Sequence, residues 1–132
     1  MLQDISLTVG FPYFVTDPLQ LYEIKRALDG IPPDIKVYAI DGRFTEFPYN
    51  IDYSIPECNQ MIRALYNNVE IHKVCATQLV KRQTYLDLAG KDNVDYLMVM
   101  DSEEYVHPMC ADWASWAIFT HELEEHLSQD DL

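Results

Sequence analysis

Five consecutive apolar residues, Tyr96-Leu97-Met98-Val99-Met100, run directly into Asp101-Ser102-Glu103-Glu104. A strand that is apolar at every position, rather than at alternate ones, is covered on both faces. Parallel sheets flanked by helices require such strands, whereas antiparallel sheets usually leave one face wet. The run therefore directs the chain toward an α/β sheet. Its acids then fall where open α/β sheets bind ligands, just outside the carboxyl ends of the strands. Carboxylates placed there are hard oxygen donors suited to Mg²⁺ or Mn²⁺ carrying nucleotide phosphates. A turn bearing solvated acids is the plain alternative, and this segment alone does not separate the two.

The rest of the chain alternates between strand and helix patterns. A first strand is expected over residues 5–14, and Thr16-Asp17-Pro18 marks a helix start with a capping side chain before proline. Leu21, Ile24 and Leu28 share one face of that helix, which Gly30 and Pro32-Pro33 end. A second strand over residues 35–40 closes at Asp41-Gly42, and a polar, aromatic loop spans residues 42–53. Ser54-Ile55-Pro56-Glu57 reads as a capping box opening a second helix that buries Cys58, Met61 or Ile62, and Leu65. After Asn67-Asn68 a third strand covers residues 69–75. Thr77 caps a third helix running to about Ala89 and ended by Gly90. The fourth strand is the one that ends at Asp101. Residues 108–128 read as an amphipathic helix carrying Trp113, Trp116, Thr120, Leu123 and Leu127 at helical spacing. The expected fold is a Rossmann-like three-layer α/β sandwich with a mainly parallel central sheet, one domain over residues 1–132.

Composition narrows the partners. An apolar fraction of 48%, including 16 aromatics, is ample for a core. No apolar run approaches the roughly 20 residues needed to span a bilayer. The amino terminus, with Asp4 and no basic flank, does not read as a signal peptide. Cys58, Cys75 and Cys110 are odd in number and never paired as CxxC, which suits reduced thiols in a cytoplasmic protein. The formal net charge is −13, and all nine Lys and Arg lie at or before Lys91. Such a surface disfavours nucleic acid, whose phosphates need Lys and Arg. It admits a nucleotide diphosphate only with a divalent cation between them.

Several signatures are absent. Neither GxGxxG nor GxxxxGK[ST] follows the first strand, and there is no GxSxG. His121 and His126 are five apart and so point to different faces of a helix, which removes the zinc-protease reading. His107, beside Pro108, most simply begins a helix. Asp41 stands at the end of the second strand, where an acid can accept from a base or ribose hydroxyl, although Asp-Gly is also an ordinary turn pair. Gln78, Lys81, Arg82 and Gln83 open the third helix, where side chains and free backbone N–H groups can meet an anion. A solvated helix face is the competing explanation.

Three segments in this order resemble the nucleotide-binding half of a GT-A-fold glycosyltransferase, of the large inverting group that uses nucleotide-diphospho-sugars. They are Val37-Tyr38-Ala39-Ile40-Asp41-Gly42, the helix from Gln78 to Ala89, and Asp95-Tyr96-Leu97-Met98-Val99-Met100-Asp101-Ser102-Glu103-Glu104-Tyr105. The resemblance covers residues 3–107, and its specificity lies in the order of the motifs. It implies that Asp101 and Glu103 stand at the DxD positions that bind the diphosphate through Mn²⁺ or Mg²⁺. It also implies that Asp41 is the base-contacting acid and Arg82 the basic residue near the nucleotide.

Two departures accompany it. Glu103 is one methylene longer than the Asp of the motif, which keeps a carboxylate but changes its reach. Residues 108–132 form a much shorter stretch than the acceptor-binding half of such enzymes, so the expectation is a truncated GT-A-like domain. Among Asp112, Glu122 and Glu125, nothing in the spacing singles out a catalytic base. The implied activity is transfer of a sugar from the nucleotide to a hydroxyl acceptor. The alternative is a catalytically inactive GT-A-like scaffold acting through its acidic surface and C-terminal helix, with the tryptophan stripe available for a homodimer contact.

Overall fold

The computed structural model describes residues 6–102. Within them the elements are β1 (Leu7–Tyr13), a 3-10 turn (Pro18–Gln20), α1 (Leu21–Asp29), β2 (Lys36–Asp41), α2 (Pro56–Leu65), β3 (Val69–Lys73), α3 (Gln78–Lys91) and β4 (Tyr96–Val99). The four strands form one sheet in the order β3-β2-β1-β4, and every pairing is parallel. The α/β expectation therefore holds, and each described strand pair is parallel rather than only most of them.

Handedness explains the layers. From β1 to β2 to β3 the chain steps one way across the sheet, and it then returns past β1 to place β4 on the far side. Right-handed crossovers put helices of opposite steps on opposite faces. Accordingly, Ile24, Ala27 and Leu28 of α1 and Cys58 and Ile62 of α2 pack in one cluster with Val9, Phe11, Val37 and Ala39. Tyr85 and Ala89 of α3 pack in a second cluster with Tyr38 and Ile40. Alternate residues of β2 thus serve two cores, which is why it reads as a continuous apolar run. Each fully buried Leu or Ile in these layers contributes about 2 kcal/mol.

The helix ends depart from expectation in two places. Ser54 does not cap α2: the residue preceding the helix is Ile55, with Pro56 at the first position and no side-chain cap. Ser54 Oγ instead accepts from Val15 N at 2.8 Å, tying α2 to the exit of β1. At the other end of the chain, α3 runs through Gly90 to Lys91. Asn93, at φ 55°, supplies the left-handed residue, and Asn93 N and Val94 N donate to Gly90 O and Ala89 O. That is the Schellman closure, with asparagine in the place glycine usually takes. Gly90 is thus an interior helical glycine, and an added Cβ there would meet nothing within 4 Å. Gly90→Ala is expected to stabilise the chain by about 0.5–1 kcal/mol, because glycine loses more backbone entropy on folding. A urea midpoint equal to or below the parent's contradicts this.

Polar ties fasten the amino ends of the strands, away from the candidate site. Asp95 Oδ2 accepts from Ser6 N at 2.9 Å while Asp95 N donates to Ser6 Oγ at 2.8 Å, locking β4 beside β1. Lys36 Nζ lies 3.1 Å from Asp92 and 3.5 Å from Glu70, joining the end of α3 to β2 and β3. Residues 108–128, including Trp113 and Trp116, lie outside the described residues, as does Cys110. Among the described residues no helix is long and apolar enough to cross a membrane.

Candidate functional site

The sheet order reverses between β1 and β4: the chain leaves β1 through α1 on one face and enters β4 from α3 on the other. A crevice opens at the carboxyl ends of these two strands for that reason. It consists of two adjoining cavities of about 300 Å³ and about 400 Å³ that share Pro12, Phe44, Gln78 and Asp101. One half is polar, lined by Gln78, Lys81, Arg82, Tyr85 and Asp101. The other is aromatic, lined by Tyr13, Phe14, Phe44, Phe47 and Tyr49, with Arg43 among them.

Local sequence accounts for each wall. Pro12 and Gly10 stand on the α3 face of β1, and small residues there let α3 come close. A Cβ on Gly10 would lie 2.9 Å from the Tyr85 ring. Along α3, Lys81, Tyr85 and Ala89 recur every fourth residue and form its buried face. Arg82, one position on, is exposed at the rim beside the cleft. The loop after β2 is pinned by Arg43, whose Nη1 donates to Phe47 O at 3.0 Å and whose Nη2 lies 3.3 Å from Asp52 Oδ1. This leaves Phe47 and Tyr49 exposed at the cleft, with Tyr49 edge-on to Phe14 at a centroid distance of 5.5 Å.

The site residues expected from sequence do not all meet. Arg82 and Asp101 line the same cavity and act on one group: burial raises the Tyr85 phenol, Arg82 lowers it and Asp101 raises it. Asp41 is elsewhere. It is fully buried under the cleft, where Oδ1 accepts from Ser54 N at 2.9 Å and Oδ2 from Asn59 Nδ2 at 2.8 Å. Asn59 Oδ1 in turn accepts from the Tyr13 hydroxyl at 2.6 Å. Both carboxylate oxygens are thus engaged by the protein, and Asp41 organises the floor of the site rather than its surface. Its charge, after burial itself, helps push the Cys58 thiol up to about 12, and both effects also raise Tyr13. Cys58 is a buried free thiol and Cys75 a half-buried one. Glu103, the second proposed metal ligand, lies outside the described residues.

The start of α3 is also filled differently from expectation. Gln78 N donates to both carboxylate oxygens of Glu46, at 3.1 and 3.2 Å, and Val80 N donates to Thr77 Oγ1 at 3.3 Å. Glu46 therefore occupies one of the backbone donors that the sequence offered to an anion and the Thr77 hydroxyl another, and the cleft's positive charge comes from side chains. Gln83 turns away and bonds to Asp87 at 2.8 Å.

Lys81 is the functional candidate that sequence reasoning placed on the wrong side of its helix. It is fully buried, with Nζ donating to the carbonyls of Gly42 and Tyr13. Burial lowers its pKa to about 8, against the opposing pull of Asp41 and Cys75. The signal was present: Lys81 stands four residues before Tyr85 and eight before Ala89, on the apolar stripe.

No protein-family model, curated protein or solved structure matches this chain significantly.

Proposed function

We propose that the crevice binds a nucleotide-diphospho-sugar together with Mn²⁺ or Mg²⁺, and that the chain is a GT-A-like domain working on such donors. The observation that carries this reading is the pairing of an aromatic wall with a polar, Arg82-bearing wall at the switch point between β1 and β4. Flat apolar surface from Phe14, Phe44 and Tyr49 suits a nucleobase, whose faces stack on aromatic rings. Arg82 suits phosphate oxygens, which a guanidinium meets with paired donors. The described residues bring one carboxylate, Asp101, and the neighbouring Ser102 to the cleft. That donor set fits a small hard cation, because Mg²⁺ commonly takes one or two carboxylates and completes its shell with phosphates and water. Asp101 would hold it, with Glu103 as the second carboxylate by sequence. When bound, the ion would neutralise the diphosphate, and in a transferase it would stabilise that group as it leaves.

Thermal melting with Mn²⁺ alone, nucleoside diphosphates alone, and the two together tests the reading. At a ligand concentration about 100 times Kd, linkage adds about 2.7 kcal/mol, or a rise in Tm of roughly 10 °C. The rise is expected only when metal and nucleotide are both present, larger for a nucleotide-sugar than for the diphosphate, and lost in Asp101→Ala. If no nucleotide with metal raises Tm, the donor-binding reading fails and the acidic scaffold alternative takes its place.

A further inference from the structure

Lys81 lies in the floor of the polar half of the cleft although its side chain is fully buried. Its two carbonyl acceptors come from different strands. One belongs to Tyr13, the last residue of β1, at 3.4 Å; the other belongs to Gly42, the residue following β2. The Phe44 ring closes over the ammonium, its centroid 4.4 Å from Nζ. Asp41 acts on it through space, since that carboxylate is held by Ser54 and Asn59.

Burying a cation is costly, and a Leu or Met at this place would pack the helix on the sheet without that cost. The arrangement therefore calls for a use of the charge. Each group that Lys81 holds leads into a cleft wall: Tyr13 continues into Phe14, and Gly42 into Arg43 and Phe44. On its other side, one residue along α3, stands Arg82.

We infer that Lys81 is a positioning residue, whose ammonium gathers the ends of β1 and β2 to one point and so sets the gap between the aromatic wall and the Arg82–Asp101 wall. Resting on the nucleotide reading above, the same cation decides how well a base and its diphosphate are held at once. The charged and titratable groups acting on Lys81 are Asp41 from β2 and Cys75 from the segment before α3; from β1 it meets only a backbone carbonyl, the Tyr13 phenol being turned to Asn59. Arg82, Tyr85 and Asp101 share its cavity. Loss of its proton weakens both carbonyl contacts and removes a positive charge from beneath the diphosphate.

The amide nitrogens of Phe14 and Arg43 belong to the two peptide groups whose oxygens Lys81 holds, so their NMR signals report the tie without any ligand. In the parent chain both are expected to move with a shared midpoint near pH 8, the value to which burial brings Lys81. In Lys81→Met they should stay flat over that range. The double variant Lys81→Met with Asp41→Asn, which removes both buried charges, gives the same readout where the single variant does not fold. Calorimetry with Mn²⁺ and UDP or GDP supplies the second arm. Affinity in the parent should fall as pH rises through this midpoint, and the variant should bind roughly tenfold weaker with no such fall. Unchanged amide titration in a folded Lys81 variant, or parental affinity and pH profile, overturns the inference. Absence of nucleotide binding by the parent overturns the donor reading instead, and the amide titration still decides the tie.

Discussion

Gly42→Ala is expected to abolish the folded state. An alanine Cβ at this position would lie 2.0 Å from Val74 O and 2.5 Å from Val74 C. Those atoms are main chain, and they are not at liberty to withdraw. Val74 N donates to Asp41 O at 2.7 Å, and Gly42 N donates to Tyr13 O at 3.2 Å, so the ends of three strands are bonded through this point. Overfilling a core costs about 1–3 kcal/mol where side chains can shift. Here the sheet itself must part, and the expected loss exceeds roughly 4 kcal/mol. Urea unfolding, or loss of amide dispersion, measures it; a folded variant within about 1 kcal/mol of the parent refutes the account. The Asp41-Gly42 pair reads in sequence as a turn, yet glycine is needed here because the backbone leaving β3 passes too close for any side chain.

Asp41→Ala is expected to cost about 3–5 kcal/mol, the range for removing one member of a buried charge pair. Three groups lose their partner at once. Ser54 N and Asn59 Nδ2 become unsatisfied donors, and Lys81 loses the carboxylate that most supports its charge. Its pKa falls further below the ordinary lysine value as a result. The parent has its own signature. Because burial already holds Lys81 near 8, the unfolded chain binds more protons than the folded one between that pH and the ordinary value of 10.5. The contribution of this group to stability therefore rises with pH across that window. Chemical denaturation of parent and variant at several pH values checks both claims. A surface acid that merely met a nucleobase would give a different result: Asp41→Ala would unfold at the parent's urea midpoint and lose affinity alone.

Periodicity made most of the architecture legible. The fourth strand leading toward Asp101, the Thr77 cap and the α1 face of Ile24 and Leu28 all lie where the pattern put them, because each follows from local geometry and a two-sided core. Arg82 and Asp101 were legible as neighbours for a related reason. A helix opening after one strand and the end of the next strand meet at the same edge of a parallel sheet. Ser54 and Gly90 were misread because capping and termination depend on which residue the chain actually turns at. Pro56 moved one boundary, and Asn93 moved the other.

Asp41 and Lys81 mark the limit. Order along the chain places a carboxylate at the end of β2 and a lysine in the first turns of α3, and it assigns both to the cleft. Whether either side chain faces a ligand depends on contacts between residues far apart in sequence. Asn59 from α2 and Ser54 from the loop before it claim the acid, while carbonyls at the ends of β1 and β2 claim the amine. Composition and spacing decide that a parallel sheet forms and where its crevice opens, since those follow from alternation and handedness. Which charges reach that crevice was decided by packing, because burial and long-range hydrogen bonds are settled only when the layers close.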